Sequence, residues 1–183
     1  MNPIDRLAEL FKEFPGIGPR QARRFVYFLL LKNRNYTDEI SRLIPELKNH
    51  VRTCSSCFTY FSKEKTNIEM CDICSNAKRD ASKLMIVGRD TDRDAFEKSG
   101  TYNGMYFVLG GTLPILEEDV QKFIRVKELT ERVLLLKDSL GEIVIALNAN
   151  PDGDNTTSFL KKHLDGIKSE NMRISLLGRG LST

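Results

Sequence analysis

Four sulfurs set the chemistry that this sequence can do. Cys54-Ser55-Ser56-Cys57 is followed after thirteen residues by Cys71-Asp72-Ile73-Cys74, and these two C-x2-C knuckles contain all four cysteines of the chain. Knuckles of this spacing can grip one tetrahedral ion through four thiolates. The alternative is a pair of disulfides, which needs an oxidising compartment. Met1-Asn2-Pro3-Ile4-Asp5 opens neither the apolar run nor the cleavage site of a secretory signal. Structural zinc in a reducing cytoplasm is therefore the expectation. A catalytic zinc keeps one position open for water, so an all-sulfur set points away from reaction at the metal. With four thiolates available, His50, just before the first knuckle, is expected to be a surface or packing residue.

Two other constellations carry chemistry. In Phe14-Pro15-Gly16-Ile17-Gly18-Pro19-Arg20 the two glycines can take backbone angles closed to other residues, and Pro19 can open a helix. A hairpin of small residues lets the backbone approach a phosphate, and the amides at the start of the next helix point at it with a favourable dipole. Arg20 and Arg24, one turn apart, can flank the same strand. Such contacts reach the sugar-phosphate backbone and read no bases, so binding is expected to be sequence-independent and salt-sensitive. A tight turn between packed helices is the plainer alternative. The apolar residue between the glycines and the arginine after the second proline favour DNA contact. The third constellation is Asn148-Ala149-Asn150-Pro151-Asp152-Gly153-Asp154, where Asp152 and Asp154 are hard oxygen ligands of the sort that hold Mg2+ against a phosphate. A turn that caps the following helix explains the same residues, and weak metal binding and capping both stand ahead of catalysis.

The elements that must position these groups are legible from periodicity. Asn2-Pro3 and the apolar spacing of Ile4, Leu7, Leu10, Phe11 and Phe14 predict a helix over about 3–13. A second, over about 19–32, is expected to bury Ala22, Phe25, Val26, Leu29 and Leu30 and to expose Arg20, Arg23 and Arg24. A third, over about 38–52, is expected to cover the first two. From residue 83 the pattern alternates: strands at 84–87, 105–109, 143–147 and 173–177, and helices near 91–98, 126–138 and 155–168. Short apolar runs separated by helices imply parallel strands covered on both faces, with ligands gathering beyond their carboxyl ends. In a phosphoryl-transfer site of this type a second carboxylate would end the first strand. Here that position reads Val87-Gly88-Arg89, and Asp90 or Asp92 could stand in only if the loop folded back.

The chain of 183 residues thus divides into a helical region over 1–53, a cysteine segment over 54–82 and an α/β region over 83–183. No apolar run approaches the roughly 20 residues of a membrane span. The net charge of +3 is unevenly spread, with ten Lys and Arg against six Asp and Glu over residues 1–53 and fourteen against fifteen from 83 on. A basic helical region is compatible with a phosphate-binding face.

The order of these parts resembles the RecR family of bacterial recombination mediators. The residues that carry the likeness are Phe14 to Arg24, the four cysteines, Phe96-Glu97-Lys98-Ser99-Gly100, Tyr106-Phe107-Val108-Leu109-Gly110-Gly111 and the Toprim-like Asp152-Gly153-Asp154. The resemblance implies an α+β chain with a helix-hairpin-helix, a C4 zinc finger and a C-terminal Toprim-like domain around a mainly parallel sheet. It implies a non-enzymatic, nucleoid-associated DNA-repair protein that forms a homo-oligomer, a dimer or a tetrameric ring, and works with RecO and RecF to help load RecA at single-strand gaps. By similarity Gly16, Gly18, Arg20 and Arg24 face DNA, Cys54, Cys57, Cys71 and Cys74 hold zinc, and Asp152 and Asp154 form a partner-docking surface or a vestigial Mg2+ site. A Toprim-type nuclease or primase and a protein-binding adaptor are the alternatives. Three features depart from the family. Gly88-Arg89-Asp90 replaces acidic residues followed by proline, the gap between cysteine pairs is longer, and the chain stops at Gly180-Leu181-Ser182-Thr183 where a segment that helps join subunits is expected.

Overall fold

The computed structural model describes residues 1–62, 69–117 and 119–178. The C-terminal Gly180-Leu181-Ser182-Thr183 lies outside the described residues. The chain forms two compact units, Met1–His50 and the part from Val51 onward.

In the first unit, α1 (Pro3–Lys12) begins where the Asn2 side chain accepts the Asp5 N–H at 2.9 Å and Pro3 supplies the first helical residue. It is followed by α2 (Pro19–Leu30) and α3 (Arg34–His50). Ala8, Ala22 and Val26 form a small buried core, with Ile4, Leu7, Phe11 and Ile17 packed against it. Phe11 and Phe25 meet edge to face, centroids 5.8 Å apart, and Arg23 Nη2 reaches Asp5 Oδ1 at 2.8 Å. Three short helices enclose less than periodicity implies. Leu30 is 66% exposed rather than buried. The third helix starts four residues early, where Asn33 accepts the Tyr36 N–H at 3.0 Å, and ends at His50. It buries none of its residues, and a groove of about 370 Å³ opens among Leu7, Phe11, Leu29, Ile40 and Ile44. A unit of this size lacks the volume to bury apolar faces on all three helices.

The second unit opens with an antiparallel hairpin of β1 (Val51–Thr53) and β2 (Tyr60–Ser62), then a single turn α4 (Asp72–Ser75). After it come β3 (Asp80–Val87), α5 (Asp90–Ser99), β4 (Gly104–Val108), α6 (Val126–Leu135), β5 (Glu142–Ala146), α7 (Pro151–Asp165) and β6 (Arg173–Leu176). The four long-range strands form one all-parallel sheet in the order β4-β3-β5-β6. Alternation along each strand divides the core. Leu84, Ile86, Phe107, Ile143 and Ile145 face Leu129 and Val133 of α6 and Leu160 and Leu164 of α7. Met85, Val87, Tyr106, Val108 and Ala146 face the other way, with Phe96 of α5 against them. The sheet is thus covered on both sides, as its continuous apolar runs require.

One polar clamp fixes the start of this sheet. Arg79, its side chain 11% exposed, donates to both Glu97 oxygens at 2.7 and 3.2 Å and to the Gly104 carbonyl at 2.7 and 3.1 Å. Burial pushes the Glu97 carboxyl up, but the two-pronged pairing with Arg79 outweighs it and leaves the group below the usual carboxylate range. Stability from a depressed carboxylate is fully present above its unfolded value, about 4.3, and is lost as pH falls through the folded value. Glu97→Gln should therefore cost about 1–3 kcal/mol near pH 7, read as a lower urea midpoint. The gap between variant and parent should narrow below about pH 4; a gap independent of pH would remove the ion pair from the account.

Candidate functional site

The cysteine cluster is built by the hairpin and the turn together. Within the first knuckle, Phe58 N–H donates to the Cys54 carbonyl at 3.0 Å and Cys54 N–H to the Thr59 carbonyl at 2.8 Å. Phe58 takes a positive φ of 62°, uncommon for a bulky residue. Its ring is pinned against Phe107 at 5.3 Å and beneath the Arg125 guanidinium at 5.6 Å. The second knuckle closes through Ser75 N–H to the Cys71 carbonyl at 3.0 Å, and the pairs are joined where Cys71 N–H meets Cys54 Sγ at 3.3 Å.

The four Sγ atoms of Cys54, Cys57, Cys71 and Cys74 lie within 4.8 Å of one another, with the first three residues buried. None of the four is disulfide-bonded, and their sulfurs gather into one cluster rather than two joined pairs. The Cys57–Cys71 separation of 3.6 Å is close to the edge, about 3.8 Å, of a sulfur tetrahedron drawn at the zinc–sulfur distance. The donor set therefore fits a closed tetrahedral site with every position filled by protein. The crowded thiols hydrogen-bond to one another, and the bonds from Cys57, Cys71 and Cys74 push the Cys54 thiol down. His50 is exposed at the end of α3 and is not among these ligands.

At the helix hairpin, Gly16 takes φ +76°, which favours glycine. Gly18 does not: at φ −84° and ψ 171° it is ordinary extended backbone preceding α2. Of the two glycines that can take angles closed to other residues, Gly16 alone does so. A Cβ at either position would meet nothing within 4 Å, so both glycines face open space. Arg20 and Arg24 are exposed, and neither enters an ion pair among the described residues; Arg24 touches only Gln21, at 3.1 Å. Arg23, expected in the same exposed set, is committed to Asp5.

At the carboxyl ends of the strands, the Asp-Gly-Asp segment forms the first turn of α7. Asn150 is the cap, accepting the Gly153 N–H at 2.8 Å, with Pro151 behind it. Gly153 is buried so tightly that a Cβ would collide with the Asn148 carbonyl. Asp152 and Asp154 stand in the first turn, favourable for the helix dipole. Among the described residues the cysteines form the single cluster of three or more potential metal ligands, so no third acidic group joins Asp152 and Asp154. The place where a second carboxylate would end β3 holds buried Gly88. Neither loop acid substitutes. Asp90 accepts from the Thr59 hydroxyl and the Tyr60 N–H, while Asp92 accepts the Arg89 N–H at 2.9 Å. Asp90 is thus a fastener between α5 and the cysteine hairpin. Sequence reading missed this because its partners lie about thirty positions away and leave no local pattern.

Comparison with known proteins places these features in a family. Residues 4–47 match the family model described as RecR, helix-hairpin-helix, and residues 82–177 match that of the Toprim domain. The chain is 32% identical over 178 residues to the recombination protein RecR of Ureaplasma parvum serovar 3, spanning 97% of this chain and 84% of that protein. It is 35% identical over 179 residues to the recombination protein RecR of Brachyspira hyodysenteriae, spanning 98% and 85%. With the recombination protein RecR of Lactobacillus helveticus it shares 32% over 180 residues, spanning 98% and 86%.

Two outcomes are expected from this geometry. Structural zinc in small peptides contributes about 10–16 kcal/mol, as much as a whole domain's stability, so Cys71→Ser should yield insoluble or loosened protein. A soluble Cys71→Ser chain with unchanged thermal midpoint would refute a structural metal. Gly18→Ala should fold with stability within about 1 kcal/mol of the parent, because its angles suit alanine and the space is open, while alanine caps α2 less well than glycine. Any loss of nucleic-acid retention in that variant would then report on the hairpin's outer face alone.

Proposed function

Because the chain belongs to the RecR family, we propose that it is a non-enzymatic recombination mediator that holds DNA through the α1–α2 hairpin without reading its sequence. The observation that carries this reading is the open, basic end of α2: Gly16 and Gly18 face free space, and Arg20 and Arg24 stand one turn apart without carboxylate partners among the described residues. Backbone amides and two guanidinium groups are what a phosphodiester needs. On this reading the four cysteines hold one structural zinc ion, which fixes the fold of the segment and takes no part in chemistry.

The Toprim-like unit serves as a docking surface, with Asp152 and Asp154 offered to a basic patch on a partner and, at most, weakly to Mg2+. RecO and RecF are the expected partners, and loading of RecA at single-strand gaps in the bacterial cytoplasm is the expected outcome. Self-association into a dimer or a tetrameric ring accords with the apolar surface of the helical unit, where Leu30 is 66% exposed, Ile44 59% and Leu47 61%. A nuclease or primase is disfavoured by the buried glycine at position 88 and by the engagement of Asp90 with the cysteine hairpin.

Arg20→Ala combined with Arg24→Ala should weaken DNA retention markedly at moderate salt and flatten its salt dependence by about two phosphates' worth, with folding unchanged by circular dichroism. Unchanged retention would favour an adaptor whose hairpin is only structural. Incubation of the purified chain with labelled DNA and Mg2+ or Mn2+ should give neither cleavage nor synthesis; metal-dependent activity abolished by Asp152→Ala would replace this reading with an enzymatic one.

A further inference from the structure

A tetrathiolate site carries its own electrostatic cost. Four thiolates around one divalent ion leave formally two negative charges in excess, and Cys54, Cys57 and Cys71 hold theirs away from water. Uncompensated buried charge is destabilising. The surroundings add to it, since Asp72, Asp94 and Glu97 line the same cleft as Cys71. Glu97 is answered by Arg79, outside that lining. Among the described residues that line the cleft, Arg93 is the only cation.

Arg93 is placed as a counter-ion would be. Its side chain is 15% exposed, although its ion-pair partner Asp94 is the next residue in the chain and is 62% exposed. Pairing with so exposed a carboxylate does not require the guanidinium to be buried. One turn earlier on α5, Asp90 is bonded to Thr59 and Tyr60 of the cysteine hairpin, so the helix that carries Arg93 is fastened beside the sulfurs. Burial works against the Arg93 charge, whereas Asp94 and then the Cys57 and Cys71 sulfurs favour it.

We propose that Arg93 neutralises the cysteine-bound metal centre from outside the ligand set, acting as a positioning and charge-compensating residue that slows loss of the ion. The inference rests on the zinc reading above, and the experiment separates the two. Zinc per chain is measured first on the full-length parent, and then the rate at which a colorimetric chelator removes it. A parent chain that holds no zinc overturns the zinc reading and this inference with it. With one zinc bound, Arg93→Gln should release it about tenfold faster, the usual scale for groups just outside a metal's ligands. Arg93→Lys should stay close to the parental rate, and Asp94→Asn should be no faster than the parent. Arg93→Met, which keeps the packing of the stem, serves the same purpose if Gln disturbs folding by circular dichroism. Parental release from both Arg93→Gln and Arg93→Met overturns the counter-ion. So does rapid release from Asp94→Asn, because Arg93 would then act only through its neighbour.

Discussion

The second unit depends on how the exposed edge of its sheet is closed. β4 is an edge strand, and the outward N–H and C=O of an edge are open to wrong pairing. At Val108 both are taken: the Cys57 carbonyl accepts the N–H at 2.9 Å, and Arg125 Nη1 donates to the carbonyl at 3.0 Å. Arg125 also lies over Phe58, which packs on Phe107 of the same strand. The first cysteine knuckle is therefore a cover for the sheet edge as well as half of the cysteine cluster. Ordering the sulfurs and protecting the edge are one event, so disturbing the cluster should reach beyond the cysteine segment.

The same joint explains what became of the carboxylates at the head of the sheet. In an open parallel fold, ligands gather beyond the carboxyl ends of the strands. Here the acids nearest those ends have structural partners. Asp90 binds the cysteine hairpin, Asp92 caps α5, and Asn150 rather than an aspartate caps α7. Gly88 stands where a second catalytic carboxylate would be required. Asp152 and Asp154 stand in the first turn of α7, and among the described residues no third acidic ligand gathers beside them.

Much of this was legible in the sequence, because periodicity reports which side of an element is apolar. The strands at 84–87, 105–109, 143–147 and 173–177 and their helices follow from it, as does the cysteine cluster from its spacing. Periodicity does not report what covers the apolar side. The third helix has the pattern of a buried face at Ile40, Leu43, Ile44 and Leu47, yet nothing in its own unit is large enough to enclose it. Three-residue strands such as β1 and β2 are too short for alternation to mark. Partners distant in sequence escape for another reason: Thr59 with Asp90, Arg79 with Glu97 and Arg132 with Ser56 are chosen by folded geometry and leave no local trace.

Neighbouring arginines on α2 show how little separates a structural charge from a functional one. Arg23 and Arg24 are adjacent in sequence and both exposed, but a rotation of one residue about the helix brings Arg23 to Asp5 and leaves Arg24 beside Gln21. Other charges of the helical unit are likewise consumed locally, Lys12 by Glu9 and Arg42 by Glu46. Arg20 and Arg24 are left without carboxylate partners near the hairpin, as Arg6, Lys32 and Lys48 are elsewhere in the unit, among the described residues. On the proposed reading, two guanidinium groups neutralise about two phosphates, which gives a weak and salt-sensitive grip for a single chain. Retention of DNA would then come from repeating that grip across several copies, each contact adding effective concentration rather than new chemistry. A hairpin that reads no bases suits such an arrangement, because every copy can engage whichever phosphates lie beneath it.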